Sequence, residues 1–146
     1  MRYYLSLGAN LGEREQTIRR AIQCIEQQIG PVLRCSSFYY SEPWGFTSEN
    51  PFCNLCCEVE TPLAPMAMLR ATQAIERALG RTQKSTITNH HSSITIYSDR
   101  RIDIDLIRAF ETDGKEIHYD HPDLHIPHLL WEQRDFVRIP LAEILG

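Results

Sequence analysis

Apolar side chains follow two different rhythms along this chain of 146 residues. Ile18, Ala21, Ile22, Ile25 and Ile29 stand at i, i+3, i+4, i+7 and i+11, which makes one stripe on a helix, and Gly30-Pro31 stops it. Met68, Thr72, Ile75 and Leu79 give a second helix its buried face, with Pro65 opening it and Gly80 ending it. The other rhythm is extended. Residues 2–7 read as a short strand ended by Gly8, residues 32–40 and 52–61 as two more, and residues 101–110 as a fourth. Ser41-Glu42-Pro43-Trp44-Gly45-Phe46 breaks into a loop. Asp113-Gly114 marks a turn whose flanks form a small hairpin. One helical turn is expected after Ile126-Pro127-His128, then a final strand over 136–139, with Pro140 starting a short terminal helix. The polar stretch 82–98 fits two readings: a functional lid or mobile loop, or a surface hairpin, because 93–97 has strand character.

The order strand-helix-strand-strand-helix-strand predicts an α+β sandwich: an antiparallel sheet with helices on one face and the other face open to loops or a ligand. No internal repeat or low-complexity linker divides the sequence, so residues 1–146 are expected to form a single domain. A hydrophobic fraction of 42% with 23% charged residues excludes a disordered or collagen-like chain. Fifteen Lys+Arg against nineteen Asp+Glu give a net charge of −4, which opposes broad binding to nucleic acid or an anionic membrane. No apolar run approaches the roughly 20 residues of a membrane span, and the first residues lack a signal peptide's apolar stretch. A cytoplasmic location is therefore expected.

The sharpest chemical signal is Arg100-Arg101-Ile102-Asp103-Ile104-Asp105-Leu106. On a strand, Ile102, Ile104 and Leu106 face the core, while Asp103 and Asp105 face out of it together, with Arg101 on their side. Two neighbouring carboxylates repel each other and call for a compensating cation. The pair suits a Mg²⁺ platform; a solvated strand edge of alternating polarity is the other reading. Cys53, Cys56 and Cys57 have some metal-site flavour, but on a strand Cys53 and Cys57 face one side and Cys56 the other, so buried thiols fit better. RNA binding on the open sheet face is opposed by the net acidity and by the two carboxylates.

Longer stretches extend the picture. Gly8-Ala9-Asn10-Leu11-Gly12-Glu13-Arg14 resembles the opening motif of the 6-hydroxymethyl-7,8-dihydropterin pyrophosphokinases. The same order continues through Ser36-Ser37-Phe38-Tyr39, Pro43-Trp44-Gly45, Phe52-Cys53-Asn54, Glu60-Thr61-Pro62-Leu63-Ala64-Pro65 and Gln73-Ala74-Ile75-Glu76-Arg77-Ala78-Leu79-Gly80-Arg81. It closes with Arg100-Arg101-Ile102-Asp103-Ile104-Asp105, Ile126-Pro127-His128, Arg134-Asp135-Phe136-Val137 and Pro140-Leu141-Ala142-Glu143-Ile144.

The resemblance implies a ferredoxin-like fold and transfer of a pyrophosphoryl group from ATP to the hydroxymethyl of a reduced pterin, with release of AMP, in folate biosynthesis. It implies that Asp103 and Asp105 hold two Mg²⁺ ions, with Arg81 and Arg100 completing the catalytic set. Phe52, Asn54 and Phe136 match pterin-site positions, and the loop with Ser41, Glu42 and Trp44 lines the same pocket. Core packing is the competing reading for both phenylalanines. Gln73, Glu76, His128 and Arg134 match nucleotide-side positions, with Glu76 orienting a cation or an arginine. Leu69, Leu106, Leu124 and Ile126 match apolar walls around the adenine, with core packing again the default reading. The chain departs from the family at Tyr97-Ser98-Asp99, where Trp and Gly-Pro are common, and at Gln83, where a basic residue is usual and Lys84 stands alongside. A nucleotide- or pterin-binding module without turnover is the alternative that those departures leave open.

Overall fold

The computed structural model describes residues 1–41, 51–80 and 102–145. β1 (Arg2–Ala9) leads to α1 (Arg14–Gln28), β2 (Val32–Cys35), β3 (Tyr39–Ser41), β4 (Phe52–Glu60), α2 (Pro65–Ala78) and β5 (Asp103–Phe110). A small hairpin of β6 (Tyr119–His121) and β7 (Leu124–Ile126) follows, then a 3-10 turn (Trp131–Gln133) and α3 (Asp135–Leu145). The main sheet is antiparallel in the order β2-β4-β1-β5, and β3 pairs on β4. With α1 and α2 as the two crossovers, this is the expected ferredoxin-like βαββαβ arrangement.

The two helical stripes explain the first layer. Ile18, Ala21 and Ile25 of α1, Ile29 just past its end, and Met68 and Ile75 of α2 pack on Tyr3, Leu5, Leu7, Leu55, Val59, Ile104 and Leu106 of the sheet. Each large side chain fully buried there contributes about 1.5–3 kcal/mol. Gly30 ends the α1 stripe for a steric reason. A Cβ at this position would lie 2.0 Å from the backbone oxygen of Glu60, and the chain must pass this close for Pro31 to accept the Glu60 N–H at 3.0 Å.

Three expectations are corrected. Residues 136–139 are helical, and Pro140 sits inside α3 rather than at its start. Val137, Leu141 and Ile144 recur at helical spacing and bury against Tyr4, Cys56 and Ile107 on the second face of the sheet. That packing outweighs the local strand preference of Phe136-Val137-Arg138-Ile139. The strand expected over 32–40 is split into β2 and β3, because the Ser36 hydroxyl takes the Cys56 N–H (3.0 Å) in place of a backbone carbonyl. Gly8 does not end β1; it pairs with Asn54 on one side and Asp103 on the other.

The hairpin at Asp113-Gly114 forms as expected, with Phe110 bridged to Glu116 and Gly114 at φ 91°. The loop 42–50 and the stretch 82–98 lie outside the described residues. Among the described residues, no helix is long and apolar enough to cross a membrane.

Gly30→Ala is expected to destabilise the fold by about 3 kcal/mol, since a backbone oxygen has to move. Urea unfolding checks this, and an unchanged midpoint would show that the strand end yields freely.

Candidate active site

The site is set by what α3 leaves uncovered. On the face opposite α1 and α2, α3 covers Tyr4, Cys56 and Ile107. Strand alternation puts Ser6 and Gly8 of β1, Phe52 and Asn54 of β4, and Asp103 and Asp105 of β5 on the same face, toward the other end of the strands. Ile102, Ile104 and Leu106 are buried on the helix side, as the sequence pattern predicts. A bulge at Ile107, between the pairs Leu5–Leu106 and Tyr4–Arg108, then interrupts the alternation. It lets Ile107 reach the α3 cluster while Ala109 returns to the helix side.

Asp103 and Asp105 are half-buried and line one cleft of about 460 Å³. That volume lies in the range of small-molecule sites. The same cleft is lined by Leu69, Gln73 and Glu76 of α2, Leu106 of β5, Leu124 of β7, and by His128 and Arg134. Seven residues assigned to the nucleotide side are thus brought together with the aspartates. Ile126 is instead buried in the helix-side core and is absent from the cleft wall. Pro122, Asp123, His125, Leu129 and Leu130 also line the cleft and were not expected. The signal for Leu129 was an apolar pair beside His128; its side chain remains 70% exposed, which a core leucine would not be.

Glu76 fastens the aspartate strand. Its buried carboxylate accepts the Ile104 N–H at 2.7 Å, between the two aspartates, on the side of β5 away from β1. This contact is to the backbone, and Arg81, Arg100 and Arg101 lie outside the described residues. Further along the same side, the His128 N–H donates to the Ile107 carbonyl at 2.8 Å. The His128 ring accepts the Leu130 N–H at Nδ1 (3.1 Å), which leaves the proton of the neutral ring on Nε2. Burial, then the nearby Arg134 charge, lowers the His128 pKa to about 4. Arg134 is itself buried, its guanidinium 5.8 Å over the Phe136 ring. Phe136 packs at the margin of the α3 cluster.

A second set of residues meets beside Asp103. Asn54 is buried and donates from Nδ2 to the Ser41 hydroxyl (2.9 Å) and to the Tyr39 carbonyl (3.2 Å). Its Oδ1 points over Gly8: a Cβ there would lie 2.9 Å from this oxygen and 3.6 Å from the Phe52 ring. Gly8 therefore leaves a bare backbone floor between Phe52, Asn54 and Asp103, a role its spacing in the sequence did not reveal. Glu42, Trp44, Arg81 and Arg100 lie outside the described residues. The thiols are oriented as the alternation predicted, Cys53 and Cys57 into the helix-side core and Cys56 under α3. Burial raises Cys53 to about 11 and Cys56 to about 12.

The donor set fits Mg²⁺. Both carboxylates offer hard oxygens from one face of one strand, at the wall of a cleft. The neighbouring Arg134 and neutral His128 supply donors for phosphate oxygens.

Comparison with known proteins agrees with this geometry. The chain is 42% identical over 141 residues to the 2-amino-4-hydroxy-6-hydroxymethyldihydropteridine pyrophosphokinase of Porphyromonas gingivalis, covering 97% of this chain and 88% of that protein. It is 36% identical over 142 residues to the folic acid synthesis protein FOL1 of Dictyostelium discoideum, covering 97% of this chain and 19% of that longer protein. A solved HPPK-DHPS chain in complex with substrates superposes with a TM-score of 0.66 at 14% identity, covering 98% of this chain and 41% of that one, which supports the fold. The model of the family described as 7,8-dihydro-6-hydroxymethylpterin-pyrophosphokinase matches residues 4–146, and the chain belongs to that family.

Proposed function

We infer that this protein transfers the pyrophosphoryl group of ATP to the hydroxymethyl of 6-hydroxymethyl-7,8-dihydropterin, releasing AMP, as a step of folate biosynthesis. Family membership carries the pyrophosphokinase activity. The observation that supports the residue roles is the meeting of two compartments at Asp103. On one side lies a cleft walled by α2, β5 and the segment 122–134; on the other lies the Gly8 floor with Phe52 and Asn54.

The nucleotide belongs in the cleft. Leu69, Leu106 and Leu124 offer an apolar wall for the adenine, and Gln73 an amide for its edge. His128 stays neutral at physiological pH and donates from Nε2, while Arg134 supplies a buried positive charge; both suit phosphate oxygens. The acceptor belongs over Gly8. Asn54 has both amide hydrogens engaged and offers Oδ1 to N–H groups on the pterin edge, and Phe52 and Phe136 offer ring faces. The hydroxymethyl oxygen then attacks the β-phosphorus, the bond to the bridging oxygen breaks, and that oxygen leaves with AMP.

Asp103 and Asp105 would hold Mg²⁺ between the compartments, where the metal neutralises phosphate charge and favours loss of the acceptor's hydroxyl proton. Glu76 is a positioning residue: its grip on the Ile104 N–H fixes both aspartates at once. With charge and alignment supplied this way, the chain needs no covalent intermediate.

Asp103→Asn and Asp105→Asn are each expected to lower Mg²⁺-dependent AMP release by at least ~10²–10³-fold. The thermal midpoint should change little, because both side chains line the cleft rather than the core. Full activity in either variant would end the metal assignment. His128 also makes a pH prediction. Its pKa falls from 6.5 in the unfolded chain to about 4 in the fold, so between these values only the unfolded chain takes up the proton. Its contribution to stability is full above about pH 6.5 and is lost as the pH falls toward about 4. Urea midpoints across that window should fall less steeply in His128→Gln than in the wild type.

A further inference from the structure

We propose that Arg14, at the start of α1, is a positioning residue for the acceptor compartment, acting through the β3–β4 ladder from the opposite face of the sheet. This rests on the assignment of Phe52 and Asn54 to the pterin.

The orientation of Asn54 depends on β3. Both acceptors of its amide belong to that strand, the Tyr39 carbonyl and the Ser41 hydroxyl. Yet β3 has only three residues and pairs only Tyr39–Asn54, Tyr40–Cys53 and Ser41–Phe52. So short a strand holds its register weakly unless something else restrains it.

The restraint comes from the first turn of α1. Tyr40 points to the helix side with its partner Cys53, away from Asn54. The Tyr40 hydroxyl donates to the Glu15 carboxylate at 2.6 Å, and the Arg14 guanidinium lies 5.5 Å over the Tyr40 ring. The same guanidinium donates from Nη1 to the Pro51 carbonyl at 2.7 Å, immediately before Phe52. One side chain therefore touches β3 and the residue that leads into β4, where the two strands flank the site. Tyr40 is 52% exposed, so core packing alone does not fix it. The hydrogen bond to Glu15 raises the Tyr40 pKa to about 12 and lowers that of Glu15, as a well-formed contact should. None of these groups reaches the cleft, so the nucleotide side does not depend on them.

The test measures each ligand separately: steady-state kinetics, with calorimetric titration of 6-hydroxymethyl-7,8-dihydropterin and of α,β-methylene ATP with Mg²⁺. Arg14→Ala is expected to raise the KM and Kd for the pterin about tenfold while leaving those for the nucleotide within about twofold. A merely structural defect would reduce the active fraction and lower kcat, leaving the pterin KM unchanged. Arg14→Lys can reach Pro51 or cover Tyr40 but lacks the planar fork to do both, so it should fall between wild type and alanine. Should Arg14→Ala fail to fold, Tyr40→Phe removes the hydroxyl that bonds Glu15 but keeps the ring under Arg14, and should shift the pterin KM in the same direction by a smaller factor. Arg34→Ala, which removes a cation paired to Glu58 at the far end of β4, should leave the pterin constants unchanged. An unaltered pterin Kd in Arg14→Ala, or equal losses for both ligands, would overturn the clamp. A wild-type protein that failed to bind the pterin would instead overturn the acceptor-site assignment.

Discussion

The site depends on one buried hydrogen bond. Among the described residues β5 is the edge of the main sheet, and an edge strand has backbone donors with no strand to satisfy them. The Ile104 N–H is one of these, and the buried Glu76 carboxylate takes it. A charge-assisted bond in so dry a place holds more firmly than a neutral one and would be costly to leave unmade. It therefore fixes where β5 lies against α2, and with it the direction of the side chains on either side of Ile104. The aspartates need no hydrogen bond of their own to point the same way. Period-two geometry does that once the strand is pinned.

The second constraint is coverage. A four-stranded βαββαβ sheet buries one face under its crossover helices and leaves the other exposed. α3 closes only part of that face, and Ile107 accommodates it through a bulge that breaks the alternation just beyond Asp105. Ser37 and Glu143 tie the end of α3 to the segment between β2 and β3, its N–H and hydroxyl both donating to one carboxylate oxygen. Among the described residues, what α3 leaves uncovered is the end bearing Gly8, Asn54, Asp103 and Asp105. Scaffold and site are thus complementary halves of one sheet face.

Much of this was legible in the sequence wherever one periodicity dominated. The stripes on α1 and α2, the outward pair Asp103 and Asp105, and the divided orientation of Cys53, Cys56 and Cys57 all follow from spacing alone. Legibility failed where two patterns competed. Phe136-Val137-Arg138-Ile139 has strand character locally, and only the longer reach to Leu141 and Ile144 shows the helix. Gly8 looked like a terminator because glycine usually is one; that it clears a floor depends on Asn54, which is remote in sequence. Ile126 matched a wall position by resemblance but points into the core. The grip of Arg14 on Tyr40 and Pro51 crosses between elements and leaves no trace in local spacing.

Asn54 carries a consequence for what the floor can accept. With both amide hydrogens held by Ser41 and Tyr39, the side chain cannot flip to offer a donor without breaking both bonds. It presents lone pairs only. With the acceptor over Gly8 as proposed, a heterocycle bearing an amino group or a ring N–H toward Asn54 would be matched, whereas one with an oxo group there would set oxygen against oxygen in a dry setting. Leaving such a buried polar atom unsatisfied costs about 1–3 kcal/mol, enough for the protein to sort near-identical flat rings by the polarity of a single edge.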